Sequence, residues 1–140
     1  MSIVVPADVE LFLTKYLRQT LLMNNLTVQV SNKEPGNLRL PLQRPLVVVR
    51  DDGGGQQSRL TFAHRVGVNV LAGSKRSDYD ANRLARIVYG ILTDDDIVEA
   101  DASPIVAFYR EGCVPPTPVL ESLDVARRYM TVEYLTVGEF

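Results

Sequence analysis

The run LTFAHRVGVNV, residues 60–70, alternates strictly: Leu60, Phe62, His64, Val66, Val68 and Val70 fall on one face, and Thr61, Ala63, Arg65 and Asn69 on the other. Period-two alternation of that length is the pattern of a half-buried β-strand, because a helix would scatter the same apolar residues around its circumference. A second such run closes the chain. In VARRYMTVEYLTV, residues 125–137, Met130, Val132 and Tyr134 alternate with Thr131, Glu133 and Leu135. Two long strands with an apolar face each require paired edges and a covering layer, so a sheet lies at the centre of the fold.

Helical periodicity supplies that layer. Val9, Phe12, Leu13, Tyr16, Leu17 and Leu21 recur at the spacing of one helix face and Pro6 suits a first turn, so residues 7–23 are expected to be helical, ending at Asn24-Asn25. A short strand is expected over 27–30. Residues 31–45, with three prolines and the turn signal Pro35-Gly36-Asn37, read as a loop. Leu46-Val47-Val48-Val49 reads as a strand that forms a hairpin with the 60–70 run, through a long acidic and glycine-rich tip expected to be flexible. A second helix follows, with Ala81, Leu84, Ala85, Val88, Ile91 and Leu92 on its buried side. Thr93-Asp94-Asp95-Asp96 ends it poorly, since carboxylates there oppose the negative end of the helix dipole. Residues 104–110 read as a strand, and 111–118, with Gly112 and three prolines, as a turn or extended loop. The order predicts an α+β fold in one domain over 1–140. It consists of an antiparallel or mixed β-sheet with two main helices packed on one side and an extended hairpin.

Charge narrows the partners. Fifteen Lys and Arg against seventeen Asp and Glu leave a formal charge of −2, which gives no drive for tight sequence-independent binding to nucleic acid. Cys113 is the only cysteine, which rules out an intramolecular disulfide and a multi-cysteine zinc site and suits a reducing compartment. The opening Met1-Ser2-Ile3-Val4-Val5-Pro6 has no basic segment of a classical secretion signal. No stretch reaches the roughly 18 apolar residues of a membrane span.

The segment VNVLAGSKRSDYDANRLARIVYGIL, residues 68–92, has the order of parts of a phosphate-binding loop: strand, glycine, lysine beside serine, helix. The match fails in detail. Gly67 and Gly73 are one residue too far apart, and Ser74 stands where the lysine should follow. A capped corner explains the residues better, with Ser77 as N-cap, Asp80 three residues on, and Lys75 and Arg76 directed outward. His64, the single histidine, lies between Phe62 and Val66 on an apolar face with no metal or hydrolase motif around it, and reads as a satisfied, partly buried side chain. Asp51-Asp52 and Asp94-Asp95-Asp96 lack calcium-loop spacing and read as solvated loops. Cys113 has only Arg110 near it to lower its pKa and reads as a passive thiol. Arg127 and Arg128 are expected on opposite faces of the last strand, in a surface salt bridge or in a contact between subunits.

With no catalytic signature, the weight moves from enzyme to assembly protein. The chain resembles the tail terminator proteins of long-tailed bacteriophages, of the kind found in phages of actinobacteria. The likeness is carried by the helix ADVELFLTKYLRQTL, the strand RPLVVVR, the strand-turn-helix HRVGVNVLAGSKRSDYDANRLARIVYGIL and the closing strand ARRYMTVEYLTVGEF. It covers nearly the whole chain and rests on the arrangement of parts. The resemblance implies a homo-oligomeric ring, a hexamer, in the virion at the head–tail interface. That ring sits on the last ring of tail tube protein, stops tube growth and meets the head completion proteins, while DNA passes through its lumen without specific binding. It implies no catalytic residue, cofactor or metal. Two alternatives stay open: another head–tail connector ring, such as a stopper or adaptor, and a small enzyme or nucleotide-binding domain built on His64 or the Gly73 turn.

Candidate interface residues follow from this reading. The hairpin tip offers Arg50, Asp51, Asp52, Gly53, Gly54 and Arg59, with the glycines expected to order on binding. The 111–118 loop is expected to project with it. Lys75, Arg76, Arg127 and Arg128 complete the set.

Overall fold

Asp8 starts the first helix: its carboxylate accepts the Leu11 amide at 3.1 Å, and α1 runs Val9–Met23 in the computed structural model, which describes residues 3–140. Met1 and Ser2, part of the segment read for a secretion signal, lie outside the described residues. Asn25 takes a left-handed φ of 61° and lets the Leu26 amide fold back to the Leu21 carbonyl, so the asparagine pair ends α1 as expected. The buried stripe is Val9, Leu13, Leu17 and Leu21.

The other elements are β1 (Gln29–Ser31), β2 (Leu46–Asp51), β3 (Thr61–Ala72), α2 (Tyr79–Leu92), α3 (Asp96–Glu99), β4 (Ile105–Phe108), a 3-10 turn at Arg110–Gly112, β5 (Val114–Pro118) and β6 (Ala126–Val137). They form an α+β fold with a mixed, open six-stranded sheet in the order β1-β2-β3-β6-β4, with β5 also paired to β6. The two alternating runs of the sequence are β3 and β6, antiparallel neighbours over their full length, from Thr61 opposite Val137 to Ala72 opposite Ala126. Both helices cover one face. There Leu13, Leu17, Leu84 and Val88 meet Val47, Val68, Met130 and Val132 in a single buried core. Each such side chain contributes about 1.5–3 kcal/mol on leaving water. No described helix is long and apolar enough to cross a membrane.

One expectation is extended and two are corrected. The 31–45 segment is a loop, but it crosses the far face of the sheet between the parallel strands β1 and β2, and Leu38, Leu40 and Leu42 pack there on Leu46, Val48, Leu71 and Val125. The acidic run after α2 begins another element: Asp94 Oδ1 accepts the Asp96 amide at 2.9 Å, so the carboxylates stand at the positive end of α3. Within 111–118, β5 pairs with β6 despite Pro115, Pro116 and Pro118, because β5 is a margin strand with no further neighbour needing its amides.

Two of the margin strands, β1 and β5, are blunted. At β1 the Val30 carbonyl accepts Arg18 from α1, through Nη2 at 2.9 Å and Nε at 3.3 Å. At β5 three prolines leave only Val114 and Thr117 with backbone donors.

Candidate assembly surfaces

The strand-to-helix corner is a turn, built differently from the capping box expected of it. Gly73 sits at φ +64°, and a Cβ there would strike the Ser77 carbonyl, so only glycine fits without strain. Ser74 and Ser77 then bond each other's backbones in both directions at 3.2 Å, which ties up Ser77 before the helix starts. Asp78 is the N-cap residue instead, and its carboxylate is taken by Arg128 Nη2 at 2.7 Å rather than by a helix amide. Lys75 and Arg76 are exposed, and the Lys75 amide donates to Asp124 Oδ1 at 3.1 Å, fastening the corner to the 119–124 loop.

The glycines of the hairpin lie in its arms. Past Asp51 opposite Val66, the Asp52 amide donates to Arg65, and the Arg65 amide donates to Gly53, so two residues face one: a β-bulge with Gly53 at φ +79°. The ladder resumes through Gly55 and Ala63 and closes at Gln57 and Thr61. A Cβ on Gly54 would enter the Ala63 carbonyl. The turn itself is Ser58-Arg59-Leu60, pinned by the Ser58 hydroxyl, which accepts the Leu60 and Thr61 amides, and by Gln56 donating to the Arg59 carbonyl. The flexible glycine tip expected from composition is thus a paired, bulged ladder with a glycine-free turn.

Arg50, Asp51, Asp52, Arg127 and Arg128 of the candidate set have side-chain partners within the chain. Arg50 forms a 2.6 Å ion pair with Asp52, and the Tyr129 hydroxyl comes over Gly67, where any side chain would block it. Arg127 and Arg128 fall on opposite faces, as expected. Arg127 grips Glu34 and Glu121, both at 2.7 Å, and Asn69 at 3.2 Å; it joins the crossing loop, the 119–124 loop and the sheet on the far face. These bonds raise the Arg127 pKa, and Arg127 with the Leu123 amide holds the Glu121 carboxyl below its ordinary range.

His64 Nδ1 meets Asp51 Oδ2 at 3.0 Å; Asp51 Oδ1 accepts the Gly53 amide, and the Asp51 amide donates to Glu10 of α1 at 2.7 Å. His64 Nε2 is buried with no partner, so the histidine is half satisfied rather than fully so. The cluster ties the hairpin root to α1. Cys113 is half-buried, its thiol donating to the Tyr109 carbonyl at 3.5 Å. Asp95 pairs with Arg110 at 3.2 Å. Among the described residues no three His, Cys, Asp or Glu side chains group as a metal site would require.

Two surfaces that the sequence did not single out lie at opposite ends of β6. Beside its first residues, where the Val119 amide donates to Arg127, the 119–124 loop presents Val119, Leu120 and Leu123, with Leu120 fully exposed at 100%. Beyond its last residues, Val5 pairs with Glu139, and next to this pair a groove of about 430 Å³ opens between α1 and the 100–104 loop. Its floor is Leu11, Phe12 and Tyr16, the two rings stacked at 5.7 Å. The groove joins segments about a hundred residues apart, which no local pattern reveals; the fully exposed leucine had a faint signal, an apolar Val119-Leu120 after three prolines. No family model matches the chain, and no curated protein is similar to it.

Proposed function

We propose that this chain is the subunit of a head-to-tail ring that caps a tubular assembly, acting as a tail terminator of a long-tailed bacteriophage. One observation carries the reading: two unlike apolar surfaces, the 119–124 loop and the groove on α1, lie at opposite ends of the longest strand pair. A heterologous contact, which closes into a ring when its rotation allows, needs two different patches on each copy. The blunting of β1 and β5 supports the same reading, because it directs copies toward side-chain contacts and away from strand addition at those strands. In this role the ring meets tail tube protein on one side and head completion protein on the other, and a net charge of −2 suits a lumen through which DNA slides without being held.

The test is twofold. The purified protein should have the mass of a small closed oligomer and show rings by electron microscopy. Phage assembled without it should carry tails of unregulated length; tails of normal length would end the terminator reading. Loss of portal-side joining with tube length intact would point to another connector ring instead.

A further inference from the structure

The loop at one end of the molecule has the shape and charge that the groove at the other end lacks. Leu120 stands on a loop that is held on both flanks: Val119 and Glu121 bond Arg127, and Asp124 accepts the Lys75 amide. A fully exposed leucine beside half-exposed Val119 and Leu123 is a knob on a fixed base, with Lys75 next to it and exposed Arg76 following in sequence. The acidic groups near the knob are engaged already, Glu121 by Arg127 and Asp124 by the Lys75 amide. The groove is the reverse. An apolar floor is rimmed by Asp101 and Glu139 against the single cation Lys15, with Asp8 already held by the Leu11 amide. Burial pushes up the Tyr16 pKa, and Asp94 and Asp96 lie near enough to add to it. One chain cannot satisfy itself, because β6, with twelve residues, holds the two surfaces roughly 40 Å apart at about 3.3 Å per residue.

We propose that the Leu120 knob of one copy seats in the groove of the next, Leu120 on Leu11, Phe12 and Tyr16, with Lys75 and Arg76 facing the rim carboxylates Asp101 and Glu139. The occupant of the groove is a second copy of this chain. The proposal rests on the ring reading and specifies its contact: heterologous, with an aliphatic anchor in an apolar seat and complementary charge around it.

The experiment uses the full chain with Cys113→Ser, so that introduced thiols are the only ones. Leu120→Cys in one preparation and Leu11→Cys in a second, tagged preparation are mixed and mildly oxidised. The expected product is the mixed disulfide dimer, well in excess of either like-with-like dimer. In parallel, Leu120→Asp should weaken self-association at least about thirtyfold by sedimentation, the effect of removing a central anchor. Lys75→Glu with Arg76→Glu should also weaken it, and Asp101→Lys with Glu139→Lys in the same chain should restore it. If the parent chain is an oligomer but the mixed dimer is no more abundant than the others and Leu120→Asp still assembles, the knob-in-groove contact is wrong while the ring reading stands. If the parent chain is monomeric at every concentration and on tail tubes, both fall.

Discussion

Arg128 Nη2 and Asp78 Oδ2 meet at 2.7 Å, joining the sheet to the first turn of α2, and the two partners differ sharply in exposure: 9% of the arginine side chain against 56% of the aspartate. A buried guanidinium is held by a carboxylate that water reaches. Asp78→Ala leaves the cation without its acceptor, and because solvent partly replaces the lost partner the cost should be about 1–2 kcal/mol rather than the ~3–5 of a fully buried pair. Asp78→Asn keeps an oxygen acceptor and should lose less. A shift in the urea midpoint, with the slope unchanged, is the readout.

Two glycine substitutions should move stability in opposite directions. Gly90 lies exposed in α2 with open space where a Cβ would go, so Gly90→Ala should stabilise by about 0.5–1 kcal/mol. Gly54→Ala drives a methyl into the Ala63 carbonyl and should cost about 1–3 kcal/mol. Thermal melts of the pair check both signs. A Gly54→Ala protein as stable as the parent would mean that the arm of the hairpin is loose after all.

The buried Tyr134 hydroxyl donates to the Leu92 carbonyl at 2.6 Å, satisfying a group that the end of α2 leaves unpaired. Tyr134→Phe should cost about 1–3 kcal/mol by orphaning that carbonyl. Burial raises the Tyr134 pKa well above 10.0, so above that pH the unfolded chain releases a proton that the folded one keeps, and stability falls as pH rises. The substitution should remove this part of the alkaline loss, visible as a flatter stability curve above pH 10.

Glu121 has the opposite sign. Its folded pKa is lowered from 4.5 by Arg127, so the contribution of this contact is fully present above that value and is lost as pH falls through the lower, folded pKa. The Leu123 amide donates to the same carboxylate at 3.2 Å and should report the event. Its chemical shift should titrate with a midpoint below 4.5, and Glu121→Gln should abolish the titration.

Much of the fold was legible because most elements carry a strong period. The α1 stripe from Val9 to Leu21 and the alternation in β3 and β6 are set by local chemistry, and they appear where the sequence puts them. The errors lie where tertiary context decides. Pro115, Pro116 and Pro118 argue against a strand until β6 is seen to need a neighbour on only one side of them. Asp94 to Asp96 oppose the end of α2 but suit the start of α3, and sequence order alone does not say which end they serve. Asp78 is the N-cap residue but caps no helix amide, because Arg128, fifty residues away, claims its carboxylate, a pairing that the local Ser77 to Asp80 pattern does not show. Of the interface candidates, Lys75 and Arg76 are exposed beside the 119–124 loop, whereas Arg50 and Arg127 hold the chain's own carboxylates.

Arg18 on the Val30 carbonyl bears on what happens to such a protein when it is crowded. A chain built around a wide sheet must keep its copies from pairing strand to strand, and an open strand margin is a standing invitation to that polymer. With that carbonyl occupied, a misdirected copy finds no backbone acceptor there to start an amyloid-like stack. Replacing Arg18 should therefore promote aggregation during storage and expression before it disturbs the fold.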